Sequence, residues 1–208
     1  MSEDQGKDEA QRTYEPVETN AEAAARLGRL AADAATKLGQ AATGAALGAA
    51  TRLSHVAEDG SARMVDVSGK EPTVREAVAT GRVALTPEAA DAIREQALPK
   101  GDVITIARIA GIQAAKRTPE LIPLCHPVML TDIDVDVEVV EDGVEVAATT
   151  RTYDRTGIEM EALTAVSVAA LTVVDMVKSI DPGAEIQYIS VASKSGGVGG
   201  DWSREDPE

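Results

Sequence analysis

The 208-residue sequence predicts an α+β domain in which helices pack on one face of an antiparallel sheet. Three observations carry this. Ile133, Val135, Val137 and Val139 alternate with Asp132, Asp134, Asp136 and Glu138, a period of two that a half-buried strand satisfies. Asp142-Gly143 then supplies hairpin chemistry, and Val144, Val146, Ala148, Thr150 and Thr152 carry a returning strand. From about 158 to 180 the chain is apolar nearly all round and rich in Ala, Val, Ser and Thr, as expected of a helix buried on several sides.

The remaining elements follow in order. Residues 1 to about 20 are polar and acidic, and 21–51 are dominated by Ala with scattered Gly. Alanine favours helix, but such small side chains bury little area to offset the entropy of ordering. Residues 1–52 therefore read as a flexible or marginally helical Ala-rich extension, with a partner-binding helix as the alternative, and 53–208 as one folded domain. Thr73–Val78 and Arg82–Leu85 look extended. Thr86-Pro87-Glu88 offers an N-cap, a proline at the first helical position and an acid in the first turn, so a helix is expected over 87–97, stopped near Pro99. Asp102 caps a second helix running to Lys116, with Pro119 limiting its length, and Ile186–Val191 reads as a last strand. The order strand, two helices, hairpin, long helix, strand suits a split βαβ, ferredoxin-like arrangement.

Composition narrows the function classes. Asp and Glu number 35 against 20 Lys and Arg, a formal charge of −15, so nucleic acid and anionic membrane are not expected as partners. The acidity also fits a plain solvated surface or a salt-rich cytoplasm. The single cysteine, Cys125, forms no internal disulfide, which fits a reducing compartment. No stretch of about 18 uncharged apolar residues spans a bilayer and Met1-Ser2-Glu3-Asp4 does not resemble a signal peptide, so a soluble, cytoplasmic protein is expected. One Cys and two His make no zinc pattern, so no metal site is assigned, and no G-x-S-x-G motif points to a common hydrolase.

Charges on the long apolar helix are the first chemical signal. At 100° per residue, Glu161, Thr172 and Asp175 fall in one narrow stripe with Lys178 three positions beyond Asp175 on the neighbouring turn, readable as a structural ion pair or as a carboxylate and an amine held in a cleft. Lys100, Arg108, Lys116, Arg117, Arg151, Arg155, Lys178 and Lys194 concentrate cations in the later part of an acidic chain, as a phosphorylated ligand would require, or else are scattered solvated groups. Lys194 to Gly200 is glycine-rich, without Walker spacing, and reads as a flexible tail or a backbone anion site. Leu124-Cys125-His126-Pro127 lies between a helix and a strand, where a loop can present His126.

Taken in order, several strings resemble the MoaC family: Met64-Val65-Asp66-Val67-Ser68, Lys100-Gly101-Asp102, Ala107 to Thr118, Leu121 to Pro127, Thr156 to Ala165, Asp175-Met176-Val177-Lys178 and Lys194-Ser195-Gly196-Gly197. The resemblance covers about residues 53–205. It implies a ferredoxin-like fold, a homohexamer built as a trimer of dimers with active sites between subunits, and a lyase of molybdenum cofactor biosynthesis. That lyase converts 3′,8-cyclo-7,8-dihydroguanosine triphosphate into cyclic pyranopterin monophosphate and pyrophosphate. Carried over by position, it implies Asp175, Lys178 and Lys100 as catalytic, and Leu124, Cys125, His126, Met160 and Glu161 as substrate-binding. Extended further, it implies a phosphate-binding rim of Glu159, Lys70, Arg75, Arg108, Lys116 and Lys194. It implies no resident cofactor and leaves open whether Mg2+ accompanies the triphosphate. A non-catalytic nucleotide-binding regulatory module and an oligomerising structural protein are the competing readings.

Overall fold

The computed structural model describes residues 61–204; the Ala-rich reading of 1–52 lies outside the described residues. The chain divides into two units, Met1–Arg52 and Leu53–Glu208. In the second unit β1 (Thr73–Ala84) leads through α1 (Pro87–Arg94), α2 (Val103–Ala115) and the single turn α3 (Thr118–Leu121) to a hairpin of β2 (Leu130–Val140) and β3 (Gly143–Asp154). The long helix α4 (Glu159–Val177) follows, then β4 (Glu185–Ser195) and the short β5 (Trp202–Ser203). The sheet order is β2-β3-β1-β4-β5, every pair antiparallel. Its first four strands have the ferredoxin-like arrangement that the sequence pattern predicts.

The core is almost purely aliphatic, because the sequence holds no Phe, one Trp and three Tyr. Ala162, Ala165, Val166, Ala169, Ala170 and Val173 of α4 are buried against Ala77, Ala79, Val83, Val146 and Ala148 of the sheet. Small side chains let backbones approach closely, and that closeness explains two glycines. A Cβ on Gly111 of α2 would stand 3.0 Å from the Ala165 carbonyl of α4 and 3.2 Å from Val135 Cγ1. A side chain at Gly81 would run into Val166, which is why glycine stands inside a continuous β1 where the sequence pattern shows two extended stretches.

Other differences from the sequence reading are local. The helix expected over 87–97 ends at Arg94, since Gln96 turns left-handed at φ 53°. Pro119 does limit α2, but as an early residue of a new turn. β4 extends to Ser195 and so carries Lys194, and β5 is too short to leave a periodic signal. By length and composition α4 is apolar enough to cross a membrane, yet ten of its residues are buried in the domain, as in a core helix.

Two arginines hold β2 to the helical layer. The Val135 carbonyl accepts from Arg108 Nε at 2.9 Å and the Val140 carbonyl, at the hairpin turn, from Arg94 at 2.6 Å. The bond from Arg108 occupies a group that another strand would use for pairing. On the uncovered sheet face Arg151 joins Glu76 to Asp132, and Arg82 joins Asp142 to Glu145, which breaks up the acidic rows.

Close packing at Gly111 gives a direct test. Replacing Gly111 by Val should lower stability by about 1–3 kcal/mol through overpacking, read as a lower urea midpoint, with Gly111→Ala falling between that variant and the unaltered chain.

Candidate active site

Residues marked by the sequence gather at the two ends of α4. Glu161 and Asp175 are fourteen positions apart on one helix, so the two groups stand about 21 Å from each other along its axis. Within one chain they form two clusters.

At the C-terminal end the Asp175 carboxylate lies between two ammonium groups. Lys100 Nζ reaches Asp175 Oδ2 at 2.7 Å and its backbone carbonyl at 2.7 Å, while Lys178 Nζ reaches Oδ1 at 2.7 Å from one turn on. Gly101 positions Lys100, since its φ of +88° turns the chain sharply into α2 beside the end of α4. Hydrogen bonds from Lys100 and then Lys178 hold the Asp175 carboxyl down at about 2. All three side chains are about half exposed, and the trio has a net positive charge in an acidic chain. Thr172, on the same stripe, turns back to donate to the Val168 carbonyl at 2.7 Å and joins neither cluster.

At the N-terminal end a cleft of roughly 320 Å3 is lined by Lys70, Leu124, Cys125, His126, Glu159, Met160 and Glu161, together with Val65, Val67, Thr156 and Gly157. His126 is fixed by its Nε2–H, which donates to the Val65 carbonyl at 2.6 Å and leaves Nδ1 outside that bond. Thr152 holds the loop that carries His126 by donating to the Met129 carbonyl at 2.7 Å, and Thr150 donates to the Ile158 carbonyl at 3.2 Å where α4 begins. Burial pushes the Glu161 carboxyl up to about 7, opposed by its own backbone N–H and assisted by Glu159. Burial and then Glu161 also raise the Cys125 thiol.

A second hollow, roughly 180 Å3, adjoins the first and shares Gly157 and Glu159 with it; its walls are Arg75, Lys194 and the turn at Gly196, Gly199 and Gly200. Lys194 Nζ donates to Glu159 at 2.8 Å. Burial alone would raise Glu159, but the bond from Lys194 and the nearby Arg75 outweigh it and the carboxyl lies below its usual range. Arg75 Nε donates to the Asp154 carbonyl at 2.9 Å, and Arg155 Nε to the Lys70 carbonyl at 2.8 Å, tying the segment that carries Lys70 to the end of β3.

Lys70, Arg75, Glu159 and Lys194 of the expected rim thus come together. Arg108 sits over the edge of β2, and Lys116 is the exposed C-cap of α2; neither lines the cleft or the adjoining hollow. The sequence strings that carry the resemblance include Val65, Val67, Thr156 and Gly157 but give them no site role, and Val65 contributes a carbonyl, which leaves no side-chain signature. Asp66 of the same string likewise receives no role; its carboxyl is lowered first by the Ser68 backbone N–H and more weakly by Arg63 and His126. Among the described residues no group of three or more His, Cys, Asp or Glu is placed to hold a metal ion.

A buried carboxyl, an oriented imidazole and a carboxylate between lysines are groups of the kind acid–base enzymes use, here on a ferredoxin-like scaffold. The sequence model of the MoaC family matches residues 64–197. Over 153 residues the chain is 59% identical to the cyclic pyranopterin monophosphate synthase of Streptomyces coelicolor, covering 74% of this chain and 90% of that protein. The proteins of that name from a Nocardioides species and from Thermomicrobium roseum are 57% and 56% identical, covering 74% and 75% of this chain and 96% and 95% of their own lengths. The chain belongs to the MoaC family.

The depressed Asp175 carboxyl has a signed consequence. Its folded value, about 2, lies below the ordinary 3.8, so the stabilisation from the two lysines is complete above about pH 4 and is lost as pH falls towards 2. Replacing Lys100 by Met should move the Asp175 midpoint upward, observed by carbon-13 NMR titration of its side-chain carboxyl.

Proposed function

We propose that this chain is a cyclic pyranopterin monophosphate synthase. It is a lyase of molybdenum cofactor biosynthesis that takes 3′,8-cyclo-7,8-dihydroguanosine triphosphate to cyclic pyranopterin monophosphate and pyrophosphate. The observation that carries this beyond the family match is the Asp175 carboxylate held between Lys100 and Lys178. The reaction opens and rebuilds a purine ring and then expels pyrophosphate as a ribose-derived hydroxyl attacks the α-phosphorus. It therefore needs groups that exchange protons and cations that meet phosphate. Lys100, Asp175 and Lys178 form the proton-exchanging group. The cleft with Leu124, Cys125, His126 and Met160 takes the base, and Lys70, Arg75 and Lys194 meet the triphosphate, which Mg2+ accompanies as part of the substrate.

We further propose that the working enzyme is an oligomer, a hexamer built as a trimer of dimers in the cytoplasm, with each site made from two copies. A separation of about 21 Å along a rigid helix is too long for one base and sugar to bridge. The lysine–aspartate end of one copy facing the cleft of another closes that distance. Ile106 and Ile109 of α2 and Leu171 of α4, each about half exposed, give the helical layer apolar surface to cover.

Pyrophosphate release and pterin formation from the cyclised triphosphate are the direct test. Lys178→Ala should abolish turnover while the chain stays folded; binding without pyrophosphate release by the unaltered protein would mean a regulatory nucleotide-binding module instead. Mixing inactive Lys178→Ala and His126→Ala chains, after dissociation and reassembly, should restore part of the activity, because some sites then draw both intact halves from different copies. No recovery in verified mixed oligomers would place each site within one chain.

A further inference from the structure

Glu161 differs from the other buried carboxylate among the described residues. Asp181, 4% exposed, has donors for both oxygens: Oδ2 accepts the Thr86 N–H at 2.8 Å and Oδ1 the Gly183 N–H at 3.1 Å, so it fastens the end of α4 to the start of α1. Buried acids with a structural task are satisfied in this way. Glu161, 2% exposed, opens onto the cleft and interacts with its own backbone N–H, with no cation among the groups acting on it. Two positions earlier on the same helix, Glu159 is clamped by Lys194. One helix end thus carries two carboxyl groups in opposite environments, an ionised one towards the cationic hollow and a desolvated one within the cleft. Such a division separates an acid from an anion.

We propose that Glu161 is a proton-transfer residue of the reaction, giving a proton to a nitrogen of the bound base as the five-membered ring opens. This rests on the function proposed above and deepens it. The carbon–nitrogen bond breaks with its electron pair left on nitrogen, while the lone pair of the ring's second nitrogen forms a carbon–nitrogen double bond to the same carbon; the departing nitrogen takes the proton as the Glu161 O–H bond breaks. The carboxylate recovers a proton when the new ring closes, so the residue ends as it began and no oxidant or reductant enters. Facing groups are Glu159 from α4, Cys125 and His126 from the loop before β2, and Lys70 from the segment ahead of β1. Burial raises the Cys125 thiol and the bond to Val65 fixes the orientation of the His126 ring, while Glu161, desolvated and without a cation, is the carboxyl of the cleft pushed up to about 7.

The test compares the full-length protein with Glu161→Gln and Glu161→Asp. Glutamine keeps the shape and hydrogen-bonding capacity but carries no transferable proton. Glu161→Gln should bind the cyclised triphosphate within about twofold of the unaltered chain and lose on the order of 100-fold in kcat, the lower range for general acid–base catalysis. Glu161→Asp should recover part of that loss, and the limb of the kcat profile near pH 7 should vanish in Glu161→Gln. Unchanged kcat with an unchanged profile overturns the inference, and so does a raised KM with kcat retained, which would make Glu161 a binding group only. Isotope-edited infrared spectra give an independent reading. A protonated-carboxyl band with a midpoint near pH 7, absent from Glu161→Gln, is expected, and its absence from the unaltered protein overturns the inference. An unaltered chain that releases no pyrophosphate would instead remove the function reading, while the band still decides whether Glu161 holds the proton.

Discussion

Everything in this domain depends on the packing of α4 against the sheet. Nineteen residues of helix, ten of them buried, are held by contacts between alanines, valines and the close approach at Gly111. A helix seated in this way is a rigid rod, because packed interiors tolerate little volume change and a shift of even part of a turn would drive side chains into backbone. Rigidity sets the spacing between its ends, and each end carries one of the two polar clusters. The connection from β1 to β2 and the segment ahead of β1 then supply the partner groups: Lys100 beside the C-terminal end, and the His126 loop and Lys70 beside the N-terminal end.

Electrostatics divides the two ends as clearly as distance does. The chain has a formal charge of −15, and among the described residues several arginines are occupied within the fold. Arg82 and Arg151 join carboxylates across the sheet face, and Arg94 and Arg108 hold carbonyls of β2. The site differs in the surplus it keeps. At one end two lysines share one carboxylate; at the other Lys70, Arg75 and Lys194 surround Glu159 while Glu161 contributes little negative charge below its midpoint of about 7. Exposed ion pairs of this kind add little to stability, so their concentration at the ends of one helix is better explained by chemistry than by folding.

The sequence made the architecture legible because its strongest periodicities coincide with buried faces. Ile133 to Val139 alternate because β2 has one covered side, and the apolar 158–180 stretch is continuous because α4 is covered by both the sheet and α2. Boundaries were less legible wherever a single backbone event decides them, as at Gln96, or wherever a glycine is dictated by a distant neighbour, as Gly81 is by Val166. The polar stripe on α4 was legible as a pattern, but its meaning was not. Angular coincidence places Glu161, Thr172 and Asp175 on one face and says nothing of axial distance or of a hydroxyl turned back on its own helix. Carbonyl groups such as that of Val65 have no sequence signature at all.

Placing an acid in the first turn of a helix normally favours its ionised form, since the N-terminal dipole and free N–H groups attract negative charge. Glu159 obeys this expectation with the aid of Lys194. Glu161 occupies the same turn and receives the same dipole, yet desolvation prevails over its own N–H and over the helix. The difference between them is which wall each faces. Glu159 stands at the boundary with the cationic hollow, and Glu161 turns inward beside Cys125 and Met160, where its own backbone N–H replaces only part of the water it has lost. On the proposed function further compensation comes from the ligand, whose polar edge enters the same cleft. The carboxyl's preference between its two protonation states is then set by what is bound there and changes as the ring does. A group so placed responds to the substrate's chemistry, whereas Asp181 already has a backbone donor on each oxygen and serves to fasten α4 to α1.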